Sequence, residues 1–313
     1  SNPVMSAFIS DHYRSRVLAS GAAACLALPA IAAPGGQADL ADLSIEELAN
    51  IQVTSVSKRP ERLQDAAAAV FVITADDIRR SGADSLPEAL RLAPNLHVAR
   101  INGYAYSISA RGQNSGGSVL SNKLLVLIDG RTVYTPLFAG VFWDAQDVLL
   151  EDIERIEVVS GPGGVVWGLN AVNGVINITT RSARDTQGGM LALQGASDGS
   201  GGAAFRQGGT SAGGVAWRVF GKTTRRSDSD RIEGGRIDDS HRRAMAGVRA
   251  DWEQGSDRYS VVGNVYQGRL DQPQPGEIAV PRGPTELGRV RSDGANLTAR
   301  WRRALEGGGE IAV

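Results

Sequence analysis

Closely spaced glycines, a serine in a G-x-S-x-G frame and three histidines are the residues here that could do chemistry. The glycines crowd residues 152–181, DIERIEVVSGPGGVVWGLNAVNGVINITTR, as Gly161, Gly163, Gly164, Gly168 and Gly174. A glycine-rich turn after a strand can cradle phosphate. That loop needs G-x-x-x-x-G-K-[ST], and no Gly-Lys-Ser or Gly-Lys-Thr follows Gly163 or Gly164. A dinucleotide fingerprint must open a helix, whereas this stretch runs into Val175-Ile176-Asn177-Ile178-Thr179-Thr180. Gly209-Thr210-Ser211-Ala212-Gly213 has the frame of a nucleophile elbow, but no helix pattern follows Ser211 and His241 lies in a charged loop. His12, His97 and His241 are scattered and Cys25 is the only cysteine, so no metal centre, cofactor or catalytic residue is expected. A net charge of −1 lacks the basic excess of nucleic-acid-binding modules, so no nucleic-acid partner is expected.

The glycines therefore read as a compact turn between two strands, 153–159 and 174–180, with Asn173-Gly174 feeding the second. Upstream, residues 66–110 read as a small α+β unit. Residues 69–74 form a strand, and a short helix begins at Asp76-Asp77 and ends near Gly82. Ser85-Leu86-Pro87-Glu88 has the pattern of a capping box ahead of a second helix that stops before Pro94. Residues 95–101 and 106–111 are candidate strands, followed by a polar glycine–serine loop at 112–121. Residues 123–128 form an almost continuous apolar run, which predicts a strand buried on both faces, and Asp129-Gly130 turns it back as a hairpin. Phe138, Phe142 and Trp143 stand in the loop that follows. They serve either as a ligand-facing surface or as packing against the surroundings.

Several of these segments, in this order, resemble the plug of TonB-dependent outer-membrane receptors. The resemblance rests on Leu124-Leu125-Val126-Leu127-Ile128-Asp129-Gly130-Arg131, then Val141-Phe142-Trp143-Asp144. It continues through Ile153-Glu154-Arg155-Ile156-Glu157-Val158, Gly161-Pro162, Trp167-Gly168, Ala171 and Asn173-Gly174-Val175-Ile176-Asn177-Ile178. It implies a plug at residues 53–181 and uptake of a scarce large solute such as a ferric siderophore or cobalamin, with no bond chemistry. Haem and oligosaccharides are served by the same family, and no motif here chooses among them. The resemblance also implies ligand-facing residues in the plug loops, for which Tyr104, Tyr106, Asn114, Phe138, Phe142 and Trp143 are candidates.

At the N-terminus, Arg14 and Arg16, an apolar core at 17–28 and small residues at 30–33 predict a cleaved secretory signal over residues 1–33. A lipoprotein signal with Cys25 as the lipidated residue is the alternative. Residues 34–52 read as a linker with a short helix begun at Ser44. Ile51, Gln52, Val53, Thr54, Ser55 and Val56 alternate β-branched and polar side chains before Pro60. Such a stretch is a strand-former with unpaired backbone groups, suited to adding an edge to a partner's sheet. The resemblance makes it the TonB box, which pairs with a TonB-type energy-coupling protein of the inner membrane; otherwise it is the plug's first strand.

After Arg181 the helix signals end and segments of about ten residues alternate apolar with polar, as in transmembrane barrels. Ala244, Ala246, Val248, Ala250 and Trp252 oppose Arg243, Arg249, Asp251 and Glu253, and Leu297, Ala299 and Trp301 oppose Asn296, Thr298, Arg300 and Arg302. Such strands would face outer-membrane lipid on one side and a water-filled lumen on the other. Long charged connections (224–241, 272–286) alternate with tight turns (254–257), which fits outer loops and periplasmic turns. The fold class expected is an α+β plug domain followed, over 182–313, by the first strands of an antiparallel transmembrane β-barrel. Six or seven strands fit there, while plugged barrels have roughly 22, so the chain is expected to be the front part of a longer protein of the outer membrane. A soluble periplasmic plug-like binding module without transport is the competing reading.

Overall fold

The structure is a computed structural model that describes residues 52–55, 61–66, 68–110, 123–135, 140–161, 164–168, 170–273, 288–307 and 309–313. The expected signal, the short helix and the linker up to Ile51, with Val56, Asn114, Phe138 and the loop at 112–121, lie outside the described residues.

The chain opens with a two-strand hairpin, β1 (Gln52–Val53) against β2 (Glu61–Arg62). β3 (Ala69–Thr74) leads directly into α1 (Ala75–Ser81), because Thr74 caps it: its Oγ1 accepts from Asp77 N while Asp77 Oδ2 accepts from Thr74 N at 2.9 Å. Gly82 ends α1 in the left-handed region (φ 67°), the conformation a helix C-terminus favours for glycine. The reciprocal cap expected at Ser85 is not formed. α2 (Leu86–Ala89) starts there, but Ser85 Oγ donates to Asp84 and Glu88 is drawn away to Arg91 and Tyr106.

β4 (Leu96–Arg100) and β5 (Tyr106–Ala110) form a separate hairpin. β6 (Leu124–Ile128), buried at all five positions, turns at Asp129-Gly130 into β7 (Arg131–Thr132). β8 (Ile153–Ser160) and β9 (Gly174–Thr180) flank the glycine-rich turn, which contains a single helical turn, α3 (Gly164–Trp167). These strands make a five-stranded mixed sheet in the order β3-β8-β9-β6-β7, with only β6 and β9 parallel. Gly174 is required at its place, since a Cβ there would lie 2.3 Å from the Val159 carbonyl oxygen.

The sheet has two apolar faces. On one, Ile73, Leu86, Leu90, Ile108, Val126, Ile156, Ile176 and Ile178 form the main core with the helices. On the other, Leu125, Leu127, Val159, Ala171 and Val175 form a smaller core under Val70 and Trp167.

Beyond β9 the chain becomes an antiparallel meander of seven strands: β10 (Gly188–Gly195), β11 (Gly201–Thr210), β12 (Ala216–Arg226), β13 (His241–Gln254), β14 (Asp257–Leu270), β15 (Val290–Ala304) and β16 (Glu310–Ala312). Their outward faces carry Leu193, Phe205, Val219, Val248, Val265 and Leu297, the last 73% exposed. The inward faces differ from expectation. Arg218, Arg243 and Arg249 do not line a water-filled space but run into the mixed sheet and its loops. Desolvating a guanidinium is costly, and buried ones persist where carbonyls and carboxylates meet them.

Candidate functional sites

Arginines and one lysine of the meander hold the seam between the two parts. Asp152, from the turn before β8, accepts from Arg206 and lies 3.3 Å from Arg218 Nε. Arg218 Nη1 donates to Arg181 O (2.7 Å) and Thr186 Oγ1 (3.1 Å), and Arg249 Nη1 to Thr180 Oγ1 (2.8 Å). Asp129 ties the β6–β7 turn to Thr180, accepting from its N–H and hydroxyl at 2.8 Å each, and its own carbonyl accepts from Arg300. Charge-assisted bonds of this kind are the strong ones, and here both ends are sheltered from solvent.

The first candidate site is built on the smaller-core face of the mixed sheet. Glu157 on β8 and its cross-strand neighbour Asn177 on β9 both project there, and Glu157 is fully buried. Its carboxylate accepts from Thr54 N (2.9 Å), Ser55 N (2.8 Å), Thr54 Oγ1 (3.3 Å) and Ser55 Oγ, while Arg155 Nε donates to it at 2.8 Å. Trp167, from α3, donates its indole N–H to Ser55 O at 2.5 Å. Val53 and Ser55 are almost wholly buried. The sequence led us to expect unpaired backbone groups in this segment. In the structure the described part is docked, with Gln52 and Val53 paired to β2 and Thr54 and Ser55 clasped by Glu157. A buried carboxylate needs donors, and the two adjacent N–H groups of an extended turn supply them.

The second candidate site is a cavity of about 470 Å³ between the main-core side of the sheet and the strand ends near the long 227–240 loop. Tyr104, Tyr106 and Trp143 line it together with Ser85, Gln146 and His241. Tyr104 stands edge-on to His241, with ring centroids 6.2 Å apart. Burial, followed by the Asp144 carboxylate, raises the Tyr104 pKa. Tyr106 and Trp143 are mostly core residues that offer the cavity only an edge, at 6% and 4% exposure. Tyr106 donates to Glu88 (2.9 Å), and burial above all pushes its pKa up to about 12. Phe142 is half-buried in the adjoining turn, where its carbonyl accepts from Ala145 N, and does not line the cavity. Packing thus accounts for Trp143, and Tyr104 is the candidate ring that faces the open space.

The cavity walls are cross-braced. Lys222 Nζ donates to Asp147 (2.8 Å), Arg226 to Asp84, and Arg243 to the carbonyls of Asp144 and Ala145. The 227–240 loop closes one side through Asp239, which is fully buried. Its carboxylate accepts from Gly103 N, Ser229 N and Ser229 Oγ, each at 2.7 Å. Gly103 is needed because a Cβ would lie 2.1 Å from Asp239 O. Glu157, Trp167 and Asp239 are the functional candidates that sequence reasoning missed. Glu157 and Trp167 stand there only among the residues that carry the resemblance, and Asp239 only within a long charged connection.

Among known proteins, residues 62–175 match the family described as TonB-dependent Receptor Plug Domain. The chain is 32% identical over 148 residues to the vitamin B12 transporter BtuB of Vibrio vulnificus, covering 47% of this chain and 23% of that one. It is also 32% identical over 192 residues to an iron-regulated outer membrane virulence protein of Vibrio cholerae, covering 58% and 28%. Both matches span about a quarter of the relatives' length. Among solved structures, the ferripyoverdine receptor of Pseudomonas aeruginosa superposes with a TM-score of 0.63 at 12% identity, over 81% of this chain and 34% of that one. The ferric yersiniabactin uptake receptor FyuA of Yersinia pestis does so with 0.60 at 17%, over 76% and 39%.

Proposed function

We propose, for a chain that belongs to the TonB-dependent receptors of the outer membrane and carries their plug and a partial barrel, that it takes up a scarce large solute. Ferric siderophores and cobalamin are the ligand classes that the relatives' names favour. The observation that carries the reading is the placement of the two sites on opposite sides of one sheet. Leu86, Tyr106 and Trp143, which border the outer cavity, belong to the core on one face, while Glu157 and Trp167 hold residues 52–55 on the other.

Transport then needs three things from these residues. The seam arginines keep the plug seated, so that solutes do not leak past it. The cavity, with Tyr104 in its lining, receives part of the ligand. Residues 52–55 leave their clasp, and the segment 51–56 adds an edge strand to a TonB-type partner, which supplies the pull. A docked and an undocked state of the same segment are the two-state element such coupling requires, and ligand acts by favouring the second.

The test is uptake by cells lacking other receptors for the chosen ligand and expressing this receptor as its whole chain. Cobalamin and a panel of ferric siderophores are supplied with and without the TonB-type partner. Partner-dependent accumulation of one of them supports the proposal. Binding without accumulation in either strain would leave the soluble-module reading in its place.

A further inference from the structure

The pairing register brings four arginines together that the sequence keeps far apart. Arg225 on β12 lies opposite Arg242 on β13, Arg242 opposite Arg269 on β14, and Arg269 opposite Arg291 on β15. Directly opposed like charges destabilise a sheet, so an unbroken row of four calls for something outside it. All four are exposed, and each shares the outward face of its strand with Val219, Val248, Val265 or Leu297. Arg291 lies 3.3 Å from Asp293. Among the described residues no salt bridge joins an acid to Arg225, Arg242 or Arg269; the nearby Asp271 carboxylate feels the charge of Arg242 but is hydrogen-bonded by Arg289 at 2.6 Å and by Ser240.

The height of the row says what it meets. On the same outward face, Trp252, Tyr259 and Trp301 form a second cross-strand row, with Trp252 stacked on Tyr259 at 5.0 Å. Ten residues separate Arg242 from Trp252, Tyr259 from Arg269 and Arg291 from Trp301. At about 3.4 Å per residue and a strand tilt near 40°, that is roughly 26 Å along the membrane normal, the height of a barrel's apolar band. Between the rows lie Ala246, Val248, Ala250, Val261, Val265, Leu297 and their neighbours. The aromatic row marks one interface, at the short turns, and the arginine row lies at headgroup level of the other, at the long loops. Long loops are the outer ones.

We infer that Arg225, Arg242, Arg269 and Arg291 form a binding site for the phosphate groups of a multiply phosphorylated glycolipid headgroup in the outer leaflet. The row is about 15 Å long at ordinary strand spacing, wide enough for two phosphates of one headgroup, each met by the planar fork of an arginine. The apolar band below accepts the acyl chains.

The experiment is native mass spectrometry of the whole receptor, released from bilayers containing diphosphorylated lipid A or its dephosphorylated form. Retention of the diphosphorylated lipid over the dephosphorylated one is expected. The loss is expected to be about fivefold per arginine, or roughly a hundredfold in R225Q/R242Q/R269Q. The single variant R242Q provides the same reading should the triple variant fail to migrate as a folded, heat-modifiable barrel. Equal retention of both lipid forms, or unchanged retention in the variants, overturns the assignment. Displacement of the lipid by millimolar pyrophosphate alone also overturns it, in favour of a soluble phosphate ligand.

Discussion

Replacing Glu157 by alanine removes the acceptor that holds residues 54 and 55, and its effect can be sized. Three donors of that segment meet the carboxylate: Thr54 N, Ser55 N and Ser55 Oγ. A hydrogen bond to a charged group contributes about 1.5–3 kcal/mol net, and three sharing one carboxylate give less than their total, roughly 3–5 kcal/mol. Trp167 and the β1–β2 pairing still oppose release, while the conformational entropy of the freed backbone favours it. The ratio of docked to undocked receptor should therefore fall by roughly two to three and a half orders of magnitude. A nitroxide on Gln52→Cys reads this in the folded receptor, with an immobilised spectrum in the parent and a sharp mobile one in Glu157→Ala. Glu157→Gln, which keeps an acceptor without the charge, should lie between them. If the spectrum of Glu157→Ala stays immobilised while the protein remains folded, the clasp is not what holds the segment.

Other consequences follow from single contacts. Gly103→Ala forces a Cβ against Asp239 O and should lift the 227–240 loop, costing about 1–3 kcal/mol and speeding its proteolysis. Arg218→Ala leaves Arg181 O and Asp152 short of a buried partner; about 3–5 kcal/mol of stability should go, read as a lower temperature of heat-modified migration. The tyrosine 106 hydroxyl should ionise only near pH 12, so Tyr106→Phe removes the last step of the tyrosinate absorbance titration. Because the folded state keeps that proton while an unfolded tyrosine loses it near pH 10, stability should fall as pH rises from about 10 to about 12.

How much of this could be read beforehand depended on how local the cause was. The strands at 69–74, 124–128 and 174–180 are apolar or β-branched runs bounded by turn residues, and they stand where the pattern put them. The alternation along β13 and β15 gave the two faces, since every second side chain must share one. What failed was non-local. The box expected at Ser85 does not close because Arg91 and Tyr106, the latter eighteen residues from Glu88, take that carboxylate. The inward arginines were assigned to water because nothing in β12 or β13 reveals that a sheet 30 to 100 residues upstream will lie against them. Glu157 looks like any polar residue of an alternating strand until residues 54 and 55 arrive from more than 100 positions away. The arginine row exists only in the register of four strands.

The central claim is that ligand at the outer side frees residues 52–55 from the clasp for a TonB-type partner. Disulfide trapping of Gln52→Cys by a cysteine in that partner's periplasmic domain, in intact cells with and without the transported ligand, tests it most directly. The account predicts little cross-linked product without ligand, a marked rise with it, and a high ligand-independent yield when Glu157→Ala is added. Equal cross-linking in all three would mean that docking by Glu157 does not gate the partner, and the account would be wrong.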